Sequence, residues 1–368
     1  MTRREVECSA PVNIALIKYW GKRDENLILP LNSSLSITLD QEELCTTNYV
    51  YTDTAISQDS LTINGLPHSL DTPRYLSCLQ TLRQLSGRHE RVWIESTNNF
   101  PTAAGLASSA AGFACLVYSL AQLFQLDCEL SAIARRGSGS ACRSMYGGFV
   151  EWKRGVLSNG EDSIAYQVFS EDYWPELQVL ILVVSDQKKS VSSSHGMQRS
   201  VKTSPLINTR AESIVPERIQ LIKTAISERN FESLAKLTMM DSNQFHAICM
   251  DTLPPLFYLN EVSHKIINMV HRYNEQCSEV RLGYTFDAGP NACLLVQKQH
   301  VKQVLAIIHY LFPTSNEDKF VIGKSNSVSP TDLPAFVSSL GVTPHKDGIK
   351  YVIHTAIGTG PKLLKKNL

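Results

Sequence analysis

Ser96-Thr-Asn-Asn-Phe-Pro-Thr-Ala-Ala-Gly-Leu-Ala-Ser-Ser-Ala-Ala-Gly112 is uncharged, small and rich in hydroxyls. It lies between an apolar-alternating segment containing Val92 and Ile94 and a strongly apolar one at 113–124. That order reads as strand, loop and helix. Pro101 and Gly105 break the strand, and the helix is expected to start within 106–109. Side chains this small let backbone N–H groups approach a ligand closely. A helix N-terminus adds unpaired donors and partial positive charge, so phosphate is the natural guest. Ser108 and Ser109 stand where hydroxyls could reach phosphate oxygens or a bound metal ion. The competing reading is an alanine-rich helix packed in a core, its serines serving as caps, and the stretch alone leaves both open. It is not a Walker A loop, because no Gly-Lys-Ser or Gly-Lys-Thr ends it. The Gly323-Lys-Ser325 of this chain has Asp318 where that motif needs glycine.

The totals bound the rest. At 368 residues the chain exceeds the size at which single cores usually stop growing, which predicts two domains. With 43% hydrophobic and 19% charged residues it has the composition of an ordinary globular protein. Thirty-five basic side chains balance 35 acidic ones, so nothing draws it generally to nucleic acid or an anionic membrane. Any anion must be held by local groups. Nine scattered cysteines without a Cys-x-x-Cys pair suit a reducing compartment and free thiols. The start, Met-Thr-Arg-Arg-Glu, lacks the apolar core of a signal peptide, and no apolar run approaches the ~18 residues of a membrane span. A cytoplasmic protein is expected. The tail Lys362-Leu-Leu-Lys-Lys reads as a solvated end, and the last residues match the peroxisomal Ser-Lys-Leu address poorly.

Along the chain, Ala10-Pro-Val-Asn-Ile-Ala-Leu-Ile-Lys18-Tyr-Trp-Gly-Lys22 is an apolar segment that ends abruptly in cations. Burying an unpaired lysine is costly, so Lys18 either reaches the surface or faces a site and meets a carboxylate. Lys22, a second cation at the exit, favours the site. Residues 27–39 alternate apolar with small polar residues, as a half-buried strand should. Asp71-Thr-Pro73 opens a helix that Gly87 ends, and Arg74 in its first turn opposes the helix dipole. Arg74 alone reads as an ordinary surface arginine. Gly137-Ser-Gly-Ser-Ala-Cys-Arg143 is a second candidate anion cradle, offering backbone donors, two hydroxyls and a guanidinium able to grip a carboxylate at two points. A flexible linker would be flanked by polar filler, which this segment is not. Residues 179–184 form a buried strand, and the serine- and lysine-rich 186–197 marks the domain boundary, dividing 1–187 from 188–368. Helices alternating with strands in the second half suggest an antiparallel sheet covered on one side. Asp287, before Ala-Gly-Pro-Asn, reads either as a turn former or as a catalytic carboxylate at a domain interface. No histidine lies in a zinc pattern such as His-Glu-x-x-His, which argues against histidine catalysis and structural zinc.

Read together, these loops point to a family. The segment 99–110, Asn-Phe-Pro-Thr-Ala-Ala-Gly-Leu-Ala-Ser-Ser-Ala, resembles the phosphate loop of the galactokinase, homoserine kinase, mevalonate kinase and phosphomevalonate kinase (GHMP) superfamily. Four further segments narrow the resemblance to the mevalonate diphosphate decarboxylases: Asn13-Ile-Ala-Leu-Ile-Lys-Tyr-Trp-Gly-Lys-Arg-Asp24, Arg136-Gly-Ser-Gly-Ser-Ala-Cys-Arg-Ser144, Asp241-Ser-Asn-Gln-Phe-His246 and Tyr284-Thr-Phe-Asp-Ala-Gly-Pro-Asn-Ala292. The ending Gly358-Thr-Gly-Pro361 agrees. The resemblance covers nearly the whole chain, with long motifs in order.

It implies an α+β, two-domain GHMP-kinase-like fold: a ribosomal-S5-like N-terminal domain and a ferredoxin-like C-terminal domain around a deep cleft. The implied reaction is ATP-dependent decarboxylation of (R)-mevalonate 5-diphosphate to isopentenyl diphosphate, with ADP, phosphate and CO2, feeding isoprenoid and sterol synthesis. A homodimer is implied too, with ATP as co-substrate and Mg2+ to neutralise it. Asp287 is the implied base near the C3 hydroxyl, and Lys18 pairs with it and keeps it ionised. Arg143 holds the substrate carboxylate, in the frame of Ser138, Gly139, Ser140, Ala141 and Cys142. Asn13, Tyr19, Trp20, Gly21, Lys22 and Arg74 match substrate-binding positions, with Tyr19, Lys22 and Arg74 at the diphosphate end, which reverses the surface reading of Arg74. Ser194, with Ser193, contacts substrate from the second domain. Ser96, Asn98, Ala104, Gly105, Leu106, Ser108 and Ser109 hold ATP, and Ser108 and Asp287 are the implied metal ligands. Two rivals stand beside this: a small-molecule kinase of the same fold that does not decarboxylate, and a catalytically dead metabolite-binding member. The carboxylate grip at Arg143 argues against the first, and the presence of Lys18, Arg143 and Asp287 against the second.

Overall fold

The computed structural model describes residues 3–100, 108–185, 190–315, 320–325 and 327–368. Where apolar or β-branched residues alternate with polar ones, the chain forms strands with one face inward. Cys45–Thr52 alternates residue by residue between half-buried and buried. It sits in a six-stranded sheet ordered Lys362–Asn367, Arg4–Pro11, Cys45–Thr52, Trp93–Asn98, Ser60–Ile63 and Leu66–His68. The helix Ser108–Phe124 covers its inner face, and Val6, Val50, Ile94, Leu116 and Leu120 share that core.

A four-stranded sheet follows, ordered Ala165–Phe169, Phe149–Trp152, Ser34–Thr38 and Asn13–Ile17. The second half builds a five-stranded sheet, ordered Leu282–Phe286, Ala292–Gln297, Leu177–Val183, Tyr351–Ala356 and Val321–Gly323. Every pair in it is antiparallel except Val321–Gly323 with Tyr351–Ala356. The helices Val215–Ser227, Phe231–Asp251, Glu261–Cys277 and Val301–Leu311 pack on it. One apolar core joins the two sheets, running from Ile14, Leu35 and Ile37 to Ile181, Phe286 and Leu294. Strand ends of the four- and five-stranded sheets therefore meet at the seam between the halves.

Two expectations change. Residues 27–39 are not one half-buried strand: Leu29–Pro30 and Ser34–Thr38 are separate, and all five residues of the latter are buried, because core covers both of its faces. The basic tail is solvated, as expected, but it is ordered into a strand. Lys362–Asn367 pairs antiparallel with Arg4–Pro11 as an exposed edge strand, and its charged side chains suit such an edge. Leu177–Val183, which a division at 187 leaves in the first half, pairs with 292–297 and 351–356 of the second.

Candidate active site

Lys18 directly follows the strand Asn13–Ile17, and Asp287 directly follows Leu282–Phe286. The two strand ends meet, and Lys18 Nζ donates to Asp287 Oδ1 at 2.7 Å. Lys18 is 3% exposed, whereas the Asp287 side chain is 43% exposed. The ammonium is thus inside and its carboxylate looks outward into a small cavity. Ile14, Ile181, Thr285, Asn291, Ala292 and Cys293 complete the lining. The turn after Asp287 is fastened by Asn291, whose Oδ1 accepts from the N–H groups of Val184 and Ser185 at 2.8 and 2.9 Å. The nearby imidazole of His246 is pushed down to about 3, chiefly by burial and further by the Lys18 ammonium. It is neutral at neutral pH and offers no cationic partner to the carboxylate.

Arg143 is 3% exposed within the 3₁₀ turn Gly139–Met145. Its Nη1 donates to Ser34 Oγ at 2.7 Å and its Nε to Asn13 Oδ1 at 3.3 Å, while Asn13 Nδ2 donates to Ser144 Oγ and Ser140 O at 2.7 and 3.0 Å. Among the described residues no carboxylate pairs with this guanidinium, and its Nη2 makes no hydrogen bond. Burial lowers its pKa from the ordinary arginine value, opposed by Cys142 and Asp287. A buried cation held only by neutral groups is expensive, so the site is built to receive an anion. Ser34 was not among the expected site residues. It lies in a strand read only for alternation, and only the fold brings it to Arg143.

The two small-residue segments touch. Ser109 Oγ, at the N-terminus of Ser108–Phe124, lies 3.2 Å from Ser138 Oγ, which lies 3.5 Å from Ser140 Oγ. Glycine is required at 139, where a Cβ would come within 2.7 Å of the Tyr19 ring. That ring packs on Trp152 at 4.7 Å, and burial pushes the phenol pKa up. Among the described residues its hydroxyl is buried without a hydrogen-bond partner. Ala141 and Cys142 are fully buried behind the turn, Cys142 Sγ donating to Gly139 O at 3.0 Å. The Cys142 thiol is pushed up to about 12 by burial, so it is an inert packing group.

A second group of cations gathers across the halves. Arg74 Nη2 donates to Ser194 Oγ at 2.8 Å, joining the first turn of Pro73–Ser86 to the first turn of Ser193–Thr203. Ser192 caps the latter helix by accepting from His195 N–H, a signal present in the serine run of the sequence. Lys22 is buried and pairs with Glu25 at 2.6 Å. Trp20 is held by its own side chain in the seam. Its indole donates to Ser200 Oγ at 3.0 Å, and its ring packs on Phe245 and Tyr258 in the seam. Gly21 has φ +91°, and a Cβ there would meet Leu31 at 2.7 Å, so it turns the chain tightly toward Lys22.

Of the residues expected to hold ATP, Ser96 is buried in Trp93–Asn98, and Asn98 Oδ1 accepts from Thr46 Oγ1 at 2.6 Å. Ala104, Gly105 and Leu106 lie outside the described residues, as does the side chain of Ser108. Among the described residues no group of three metal-ligating side chains comes together. The exposed Asp287 carboxylate fits a single donor to a cation that a triphosphate carries in, not a preformed cage.

Two family models match the chain: the diphosphomevalonate decarboxylase-like N-terminal domain over residues 10–165, and the mevalonate 5-diphosphate decarboxylase C-terminal domain over residues 179–364. The chain is 51% identical to the diphosphomevalonate decarboxylase of Danio rerio, covering 98% of this chain and 93% of the relative. The chain belongs to the diphosphomevalonate decarboxylase family. It also superposes on the mevalonate diphosphate decarboxylase of Trypanosoma brucei with a TM-score of 0.92 and 39% identity over 98% of both chains. A structure described as MDDEF in complex with MVAPP, AMPPCP and magnesium matches with a TM-score of 0.80 and 31% identity, over 99% of this chain and 100% of that one. The fold is therefore the two-domain α+β fold of the GHMP kinases, and the chain is an ATP-dependent carboxy-lyase of the mevalonate pathway.

Proposed function

We propose that the chain converts mevalonate 5-diphosphate and ATP to isopentenyl diphosphate, ADP, phosphate and CO2 at the seam between its halves. Asp287 accepts the proton of the C3 hydroxyl as that oxygen takes the γ-phosphoryl group, ADP leaving with the electrons of the broken P–O bond. Lys18 holds the carboxylate in place. The C3–O bond then breaks, phosphate departing with its electron pair. The C1–C2 bond supplies the pair that forms C2=C3, and C1 leaves as CO2. Arg143 holds C1 as carboxylate until that bond breaks, using the donor that its neutral neighbours leave open. Arg74, Lys22, Tyr19 and Ser194 take the diphosphate, and Ser109 with the segment before it takes the ATP phosphates. Such phosphoryl transfer runs mainly on positioning and charge neutralisation.

The observation that carries this reading is Arg143: a buried guanidinium without a carboxylate among the described residues, within electrostatic reach of Asp287. A kinase that only phosphorylates the alcohol has no use for it. The residue roles separate kinetically. Lys18→Met should lower kcat by about 100-fold or more, since it removes the group aligning the base. Arg74→Ala should instead raise KM for mevalonate 5-diphosphate by about 10-fold with a smaller change in kcat, the signature of lost ground-state binding. Steady-state kinetics at saturating ATP reads both, and a kcat effect at Arg74 with normal kcat at Lys18 would reverse the assignment.

We also infer a homodimer. Exposed Met250, Leu253 and Phe257 at the end of Phe231–Asp251 support it, and light scattering should give twice the monomer mass. The reduced cysteines support a cytoplasmic setting. Among the described residues no helix is long and apolar enough to cross a membrane. We propose two domains, 1–187 and 188–368, with the strand Leu177–Val183 pairing across that division.

A further inference from the structure

The peptide of Lys18 is gripped on both sides from the second half of the chain. Its N–H donates to Asp241 Oδ2 at 2.7 Å. Its carbonyl accepts from Arg210 Nη2 at 3.0 Å, and from Asn32 Nδ2 at 2.9 Å. Asp241 and Arg210 close the ring with two bonds of 2.8 Å, Nη1 to Oδ1 and Nη2 to Oδ2. Arg218 Nη1 reaches Asp241 Oδ1 at 3.0 Å, and Gln244 Oε1 accepts from both arginines at 2.7 and 2.8 Å. Asp241 and Arg210 are both 0% exposed. Burial pushes the Asp241 carboxyl up, but the Arg210 charge and its hydrogen bonds bring it below the usual carboxylate range, so the ring is ionic.

A buried ionic ring is seldom a cheap source of stability, because desolvation consumes most of its attraction. Its worth lies in geometry. With both peptide groups fixed, the Lys18 Cα has little freedom, and the side chain leaves it in the direction of Asp287. The ring also couples two distant parts of the chain, since Asp241 lies 223 residues from Lys18 and Arg210 lies 192. Asp241 and Arg210 sit on the second half, as Asp287 does, so the clamp sets the lysine and its carboxylate in one frame.

We propose that Asp241 and Arg210 are positioning residues for the reaction, clamping the Lys18 peptide so that its ammonium meets the Asp287 carboxylate. This rests on the roles given above to Lys18 and Asp287.

The test compares Asp241→Asn, which keeps the shape and removes the charge, with Arg210→Lys, which keeps the charge but not the fork. Misplacement of a reacting group by about 1 Å costs on the order of 100-fold, so kcat should fall by about 10- to 100-fold in each, with KM for both substrates little changed. In a Lys18→Met background Asp241→Asn should add less than about twofold, because it acts through the side chain already removed. A structural role alone would add its effect in either background. Folded variants with parental kcat, losses confined to KM, or additive losses in the double variant would overturn the proposal. Should both variants unfold, hydrogen exchange of the parent decides: the Lys18 amide should be among the most protected, and rapid exchange there would refute the clamp. If Lys18→Met itself keeps full activity, the role of Lys18 fails, not the clamp geometry.

Discussion

Asp287→Asn turns over mevalonate 5-diphosphate about 10³- to 10⁴-fold more slowly than the parent, the upper end of what a positioned base contributes. That is ~4–5 kcal/mol of transition-state stabilisation at 1.36 kcal/mol per decade. The large effect follows from geometry. The carboxylate is 43% exposed while its partner is buried, so it stands at the cavity, where an alcohol can meet it. Asparagine keeps the shape and can still accept from Lys18 Nζ, but it cannot take a proton. ATP binding should be largely unchanged, because Ser96 and Asn98, which the family resemblance implies hold ATP, belong to the other half. Equilibrium binding of a labelled nucleotide, run beside the turnover assay, separates the two. Asp287→Ala should behave alike in turnover while losing more stability, since it also strands a buried ammonium. Near-parental turnover in either variant would remove Asp287 from its role.

Arg143→Gln loses about 2–5 kcal/mol of substrate engagement, or roughly 30- to 5,000-fold in kcat/KM, as expected when one partner of a buried charge pair is truncated. The same substitution should leave the thermal unfolding midpoint equal or higher. In the free protein this guanidinium is buried against Asn13 and Ser34, with no carboxylate paired to it among the described residues. Taking it away relieves a desolvation cost that only bound carboxylate offsets. Arg143→Lys is not a conservative rescue, because a point charge cannot hold Ser34, Asn13 and a carboxylate at once. Differential scanning calorimetry with and without mevalonate 5-diphosphate reads both halves of this expectation. A variant that melts well below the parent yet keeps its kcat/KM would make Arg143 a structural residue.

The legible parts of this site were those in which local chemistry and local sequence coincide. The abrupt cationic end of an apolar strand at Lys18, the acid at a strand end at Asp287 and the Ser-Gly-Ser-Ala-Cys-Arg frame are unusual at the scale of a few residues, and each falls at the seam. Helix limits were equally local: Pro73 opens a helix and Gly87, in the left-handed region, ends it. What escaped was long-range. Ser34 sits in a strand buried on both faces, and nothing in its surroundings distinguishes its hydroxyl until Arg143 arrives from 109 residues away. Asp241 stands on the helix Phe231–Asp251 and Arg210 opens the π-helical turn Arg210–Ile214, and only folding turns them into a clamp. Trp20, sitting between Lys18 and Lys22 in sequence, packs on Phe245 and donates to Ser200, partners at least 180 residues away. The tail became an edge strand because an open edge at Arg4–Pro11 was there to receive it.

The most direct measurement follows both products in one reaction: ADP by a coupled assay and CO2 by trapping, with mevalonate 5-diphosphate as substrate and mevalonate and mevalonate 5-phosphate alongside. The account predicts ADP and CO2 in equal amounts from the diphosphate, and far slower release of either from the two shorter substrates. ADP released from the diphosphate without CO2 would contradict it, leaving Arg143 and the whole seam as the site of a kinase.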